Sequence, residues 1–165
     1  MGFELDSKRG VFQHYGVRTT DPQYGGLTDD DIIKLATWTF DYNNLPTYGT
    51  SNLEMSIPAN ARIISAKLEI ITGFTSTSTT TDLDIGLYTS AGVAIDANGL
   101  ITAAQATQTT IATAGNIIDG SSGTAGALIN ATIGATAGEL VVTPTVADLT
   151  AGRGRVFVQY ITAGI

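Results

Sequence analysis

The feature that most limits the fold of this chain is an alternation of apolar and polar side chains after the turn Pro58-Ala59-Asn60. In an extended chain, successive side chains point to opposite faces, so residues two apart share a face. By this rule Ile64, Ala66, Leu68 and Ile70 point one way, and Ser65, Lys67 and Glu69 point the other. Such a strand is typical of an antiparallel sheet with one buried and one solvated face.

Further segments have the same character, and we predict strands at Trp38–Tyr42, Leu53–Ile57, 63–72, 82–88, Leu128–Ile133, Glu139–Thr143 and Arg155–Ile161. Trp38, Phe40 and Tyr42 share one face, which favours core residues over an exposed aromatic platform. Turns are expected at Asp96–Gly99, Asp119–Gly123 and 150–154, and a short helix at Ala103–Thr107. The prediction is an all-β, antiparallel, jelly-roll-like β-sandwich of about eight strands over residues 37–165.

The composition limits the classes of function. Only 14% of the residues are charged, against roughly 25% in ordinary soluble domains, which suggests a surface partly covered by partners. The net charge of −7 argues against nucleic-acid binding, which needs clustered Lys and Arg. The chain has no Cys and therefore no thiolate nucleophile or disulfide, and no apolar run approaches the roughly 20 residues of a membrane span.

Residues 1–36 form a separate region, which we predict to be an extended arm. Thr28 and the three acidic residues after it resemble a helix start, so a short helix reaching Ala36 is expected. A free tail usually lacks aromatic residues, and their presence here indicates docking on a partner or on the chain's own sandwich. The candidate partner-binding residues of the arm are Phe3, Arg9, Phe12, His14, Tyr15, Arg18 and Tyr24.

No candidate for catalysis is convincing. The single histidine, His14, cannot build a His-rich metal site, and the segment Asp96–Gly99 lacks the further acidic ligands of a calcium loop. Asp82 and Asp84 could form a glycosidase pair only in a cleft that raises one pKa. Arg153 and Arg155 form a compact basic spot, which either pairs with an acidic neighbour across an interface or flanks a turn. We therefore expect no enzyme and no cofactor.

Several stretches resemble a family of small virion proteins of tailed phages, notably marine and cyanobacterial ones. These stretches are Ile57–Ala61, Leu83–Tyr88, Asp96–Leu100 and 150–158, and the resemblance spans roughly residues 38–161. It implies a capsid decoration (cement) protein, a trimeric β-sandwich bound to the outer face of the major capsid protein shell. It also implies assembly in the bacterial cytoplasm, a place on the outer surface of the virion and an N-terminal arm that reaches neighbours.

A carbohydrate- or receptor-binding module of a tail fibre or adhesin is the alternative. The two functions are distinguished by exposed aromatic residues: a solvent-facing Trp38 or Tyr48 beside polar side chains would favour sugar binding.

Overall fold

The structure is a computed structural model, and it describes residues 6–7, 10–11, 33–49 and 56–162. Its elements, in chain order, are β1 (Asp6–Ser7), β2 (Gly10–Val11), β3 (Lys34–Asp41), β4 (Ala61–Ser76), β5 (Leu83–Tyr88), β6 (Ala94–Ile101), α1 (Gln108–Ile111), β7 (Ile117–Asp119), β8 (Glu139–Pro144) and β9 (Leu149–Thr162). The predicted all-β, antiparallel sandwich is confirmed.

Two antiparallel sheets build the sandwich. The four-stranded sheet has the order β3-β9-β4-β7, and the three-stranded sheet has the order β6-β5-β8. β1 and β2 pair only with each other in the described part of the chain. The long antiparallel pair of β4 and β9 is the centre of the larger sheet, and β3 is one of its edges.

The core lies between the two sheets. Phe40, Leu68, Phe74 and Val156 enter it from the four-stranded sheet, while the smaller sheet contributes the side chains Leu83, Ile85, Leu87, Leu140 and Val142. Trp38 is also part of this core, as its period-two spacing predicts. Tyr42, predicted on the same face, is 40% exposed, because β3 ends at Asp41 and Tyr42 lies in the turn that follows. Burial of these apolar side chains is the main favourable term for folding.

The pairing of β4 with β9 is irregular at four points, and the first of them corrects one prediction. Ile63 is fully buried and Ile64 only half-buried, because the pairing with β9 shifts between Ile63 and Ser65. Such a β-bulge inserts one extra residue, so the side chains before it point to the face opposite to the one that unbroken alternation predicts. The predicted inward set was therefore right for Ala66, Leu68 and Ile70, and wrong for Ile64.

Four further predictions in the second half are corrected. Asp96–Gly99 lies inside β6, at an irregular register with β5, rather than in a turn between strands. The short helix is Gln108–Ile111, which begins just after the predicted segment Ala103–Thr107. Residues 128–133 form turns with a single bridge at Thr132 and not a strand. Residues 150–154 belong to β9.

The predicted turn after Asp119 is confirmed by a hydrogen bond from the Ser122 backbone N–H to the Asp119 carbonyl.

The sandwich begins slightly earlier than predicted. β3 starts at Lys34, so residues 34–36 are strand and the predicted helix does not reach Ala36. The proposed start of that helix at Thr28, and the predicted strand residues Leu53 and Met55, lie outside the described residues.

Candidate docking surface

The two arginines of the predicted interface lie on the outer face of the four-stranded sheet. In β9, Arg153 and Arg155 alternate with Gly152 and Gly154, so the arginines face outward and the glycines face the core. A Cβ on Gly152 would lie 2.1 Å from Cδ1 of Phe74, and one on Gly154 would lie 3.0 Å from Cζ of Phe40. The glycines therefore make room for stacked Phe40 and Phe74 rings, whose centroids are 5.8 Å apart.

Ion pairs cross the strands on this outer face. Arg153 Nε lies 3.6 Å from Asp41 Oδ1, and Arg155 Nη1 lies 3.7 Å from Glu69 Oε2. Arg155 also donates from Nε to Thr39 Oγ1 at 3.2 Å. Both arginines thus have acidic partners within the chain, while their side chains remain about half exposed.

A third ion pair joins Lys67 Nζ to Asp119 Oδ2 at 3.4 Å. Asp119 Oδ1 also accepts hydrogen bonds from the Ser121 hydroxyl at 2.6 Å and from the Ser121 backbone N–H at 2.9 Å. The Ser121 donors, and then the charge of Lys67, hold the pKa of the Asp119 carboxyl below its ordinary value of 3.8.

An apolar depression lies beside these charges. It has a volume of about 270 Å³ and is lined by Leu35, Ser65, Lys67, Phe157 and Gln159. The strand register places Leu35 beside Gln159 and Phe157 between Thr37 and Lys67. Leu35 is 60% exposed. The guanidinium carbon of Arg155 lies 5.8 Å from the centroid of the Phe157 ring.

Charge is distributed unequally between the two sheets. Within the described ranges, every Lys and Arg lies on a strand of the four-stranded sheet, at Lys34, Arg62, Lys67, Arg153 and Arg155. Asp84, Asp96 and Glu139 lie on the three-stranded sheet, and Asp82 and Asp148 lie in the connections at its ends. Among the described residues, the three-stranded sheet therefore has no cation, and the four-stranded sheet has all five.

Asp82, just before β5, and Asp84, within β5, have a structural role. Asp82 Oδ1 accepts a hydrogen bond from the Gln108 backbone N–H at 2.8 Å, and Asp84 Oδ1 accepts one from the Ala103 backbone N–H at 2.8 Å. Both carboxylates thus anchor the segment that contains α1. Asp96 Oδ1 accepts from the Asn98 backbone N–H at 3.2 Å. No group of three or more His, Cys, Asp or Glu that could hold a metal ion occurs among the residues the structure describes.

One exposed aromatic pair lies on the other side of the molecule. Tyr48, which is 44% exposed, stacks on Tyr88 with ring centroids 5.7 Å apart. Beside it, Glu139 Oε2 accepts a hydrogen bond of 2.7 Å from the Gly49 backbone N–H. Of the two aromatic residues whose exposure would favour sugar binding, Trp38 is therefore buried and Tyr48 is exposed.

Sequence reasoning missed Leu35 and Phe157 as surface residues, although the alternation in β3 could have identified Leu35. Leu35 is an odd-numbered neighbour of the inward-facing, even-numbered Trp38 and Phe40, so a strand that starts at Lys34 must point Leu35 outward. The predicted arm residues Phe3, Arg9, Phe12, His14, Tyr15, Arg18 and Tyr24 lie outside the residues whose side chains are described.

The single helix of the described ranges has four residues and is far too short to cross a membrane.

Comparisons with known proteins give a fold but no family. No family model matches the chain. No curated protein matches it either. A chain in the solved structure of the capsid of Ralstonia phage GP4 is similar, with a TM-score of 0.54 and 15% identity over 87% of this chain and 93% of that chain. A chain of the capsid asymmetric unit of cyanophage Pam1 gives a TM-score of 0.47 and 18% identity, over 89% of this chain and 94% of that one. The likeness to the GP4 chain shows that the two share a fold.

Proposed function

We propose that this protein is a non-enzymatic structural protein of a tailed-phage virion, and specifically a capsid decoration protein that binds the outer surface of the major capsid protein shell. The observation that carries the proposal is the shared fold with a chain of the GP4 capsid, which extends over 87% of this chain and 93% of that one. In this role the protein is a homotrimer that stabilises the junctions between shell subunits.

The physical chemistry of the chain supports this role. A protein that binds the assembled shell better than the separate subunits stabilises the shell by mass action. Each contact can be weak, because several copies on one lattice act together. The low charged fraction of 14% and the exposed apolar side chains on the four-stranded sheet suit a protein that is covered on one side.

The proposed test is co-sedimentation of the purified protein with shells of its phage that were assembled without it. We expect saturable binding and a higher melting temperature of the shell, measured by scanning calorimetry. The control is the same shell with a β-sandwich protein of unrelated origin. Binding that does not saturate, or an unchanged shell melting temperature, would contradict the decoration role.

The same co-sedimentation assay also tests the predicted arm, with a variant that lacks residues 1–27. We expect this variant to fold, because the described core lies entirely within residues 38–158, and to bind shells more weakly than the full chain. The arm residues Phe3, Arg9, Phe12, His14, Tyr15, Arg18 and Tyr24 stay a prediction that this variant tests.

A carbohydrate- or receptor-binding module is the second candidate, and Tyr48 is the observation that favours it. An exposed ring beside a carboxylate is a common element of sugar sites, because the apolar ring face packs on the sugar. Against it, Tyr88 already covers one face of the ring, and the Gly49 backbone N–H already engages Glu139. Binding to a glycan array that is lost on Tyr48→Ala substitution would support this candidate in place of decoration.

A further inference from the structure

Among the described residues, only the outer face of the four-stranded sheet combines exposed apolar side chains with cations. It presents the depression over Phe157 and Leu35, and exposed Ile117 lies in β7 at its edge. Arg62, Lys67, Arg153 and Arg155 lie on its strands. Exposed apolar side chains surrounded by polar and charged groups are typical of protein–protein contact surfaces.

We infer that this face is the one that docks on the shell, and that it takes an acidic protein surface whose projecting apolar side chain enters the depression over Phe157. The inference rests on the proposed function and adds to it the orientation of the bound protein. The three-stranded sheet, with Asp84, Asp96 and Glu139, then faces away from the shell.

Charge complementarity selects an acidic partner. The chain as a whole has a net charge of −7, so an acidic surface would repel most of it. The outer face of the four-stranded sheet differs, because Asp41, Glu69 and Asp119 are each matched by a cation within 4 Å. Arg62 is exposed on the same sheet and forms none of these ion pairs. An acidic surface therefore meets attraction here and repulsion on the opposite side, which fixes the orientation.

The size of the face indicates how strong a single contact is. β3, β9 and β4 lie side by side over about eight residues, from the Lys34–Tyr160 pair to the Asp41–Arg153 pair, and β7 adds three residues. At about 4.8 Å between strands and about 3.3 Å per residue, this gives a face of roughly 400–500 Å². A standard stable interface buries about 800 Å² on each partner. One copy should therefore bind weakly through this face alone, and stable decoration requires several linked copies or additional contacts.

A pair of matched variants tests the inference. Leu35 on the docking face and Val93 on the turn between β5 and β6 are exposed aliphatic residues, at 60% and 64%. Leu35→Glu and Val93→Glu therefore make the same change in charge and polarity, one on the four-stranded sheet and one at an end of the three-stranded sheet. In the shell co-sedimentation assay we expect Leu35→Glu to weaken binding by at least about tenfold, and Val93→Glu to leave it within about twofold. Binding of the unmodified protein should also weaken as salt is raised.

A second pair keeps the test decisive if Leu35→Glu does not fold. Gln159 lines the depression, and Thr143 is an exposed residue of β8. Gln159→Glu and Thr143→Glu each add one negative charge, and the same contrast is expected. Folding of all four variants is checked by circular dichroism and thermal melting.

The outcomes separate this inference from the proposed function. If the unmodified protein binds shells and both members of each pair bind them equally strongly, the inference is overturned and the proposed function stands. No shell binding by the unmodified protein would overturn the proposed function together with the inference.

Two other occupants of the face would also overturn the inference. A fall of several degrees in the melting temperature of isolated Leu35→Glu protein, without the same fall for Val93→Glu, would mean that residues 1–32 of the same chain cover the face. A smaller oligomer by light scattering, with shell binding intact, would mean that a second copy does.

Discussion

The two faces of the four-stranded sheet differ more from each other than the two sheets do. Its inner face carries Phe74, Leu68 and Val156, fully buried against the smaller sheet. Its outer face carries Arg153, Arg155 and Phe157 on the same strand as Val156, at alternating positions. One strand thus serves the core and the outer surface at the same time, and side-chain alternation separates the two.

The largest expected difference between the two faces is in the free energy of unfolding lost when one phenylalanine is removed from each. Phe74→Ala should lower the free energy of unfolding by about 3–5 kcal/mol, because it leaves a cavity in a fully packed core. Phe157→Ala should lower it by less than about 1 kcal/mol, because Phe157 is only partly buried on the outer face. Urea unfolding measures both. Equal losses would mean that the outer face is itself part of a core.

Gly152, which precedes Arg153 in β9, tests how tightly the inner face is packed. Gly152 has a φ of +124° and Gly123 a φ of +64°, so alanine is strained at both. Only at Gly152 would the new Cβ also meet Phe74, at 2.1 Å, whereas nothing lies within 4 Å at Gly123. We expect Gly152→Ala to cost about 2–4 kcal/mol and Gly123→Ala about 1 kcal/mol. Thermal unfolding of the two variants checks this, and the same loss at both positions would remove the packing argument.

The ion pairs of the outer face should contribute little to folding. The pair of Arg155 and Glu69 is about two-fifths exposed on each side, and exposed pairs contribute about 0.2–1 kcal/mol. A double-mutant cycle with Arg155→Gln and Glu69→Gln, followed by urea unfolding, should give a coupling energy in that range. A coupling of about 3 kcal/mol would show instead that the face is desolvated in the free protein.

The smallest expected effect is the pH dependence contributed by Asp119. Its pKa is lower in the folded protein than the ordinary value of 3.8, so the unfolded chain binds the proton more tightly. Its contribution to stability is therefore present above pH 3.8 and is lost as the pH falls through the folded pKa. Ser121→Ala should move the pKa of Asp119 back toward 3.8, as measured by NMR titration of the side-chain carbonyl carbon. An unchanged pKa would mean that the Ser121 hydroxyl is not the main cause.

The sequence predicted the regular parts of the sandwich and failed where backbone geometry interrupts the period. The predicted strand 82–88 is right because β5 alternates there without a break, with Leu83, Ile85 and Leu87 buried. Ile64 was misplaced because a bulge in β4 is invisible in the residue pattern. The glycines of residues 150–154 predict a turn, whereas in the structure Gly152 and Gly154 are required by the bulk of Phe40 and Phe74. Glycines that serve close packing and glycines that serve turns look the same in a sequence.

The docking surface was only half predictable. Arg153 and Arg155 were found as a basic spot, but their partners Asp41 and Glu69 come from strands distant in the sequence. The unequal charge of the two sheets depends on strand order, which no local pattern specifies. It therefore became visible only in the three-dimensional arrangement.

The claim that the outer face of the four-stranded sheet lies against the shell can be tested with single cysteines, because the chain has none of its own. Gln159→Cys places a single thiol on the outer face of the four-stranded sheet, and Thr143→Cys places one on the three-stranded sheet. The measurement is the rate of maleimide labelling of each variant, free and bound to shells. We predict that shell binding slows labelling at residue 159 by at least about tenfold and leaves labelling at residue 143 unchanged. Slower labelling at residue 143 with residue 159 unaffected would contradict the account and place the other sheet on the shell.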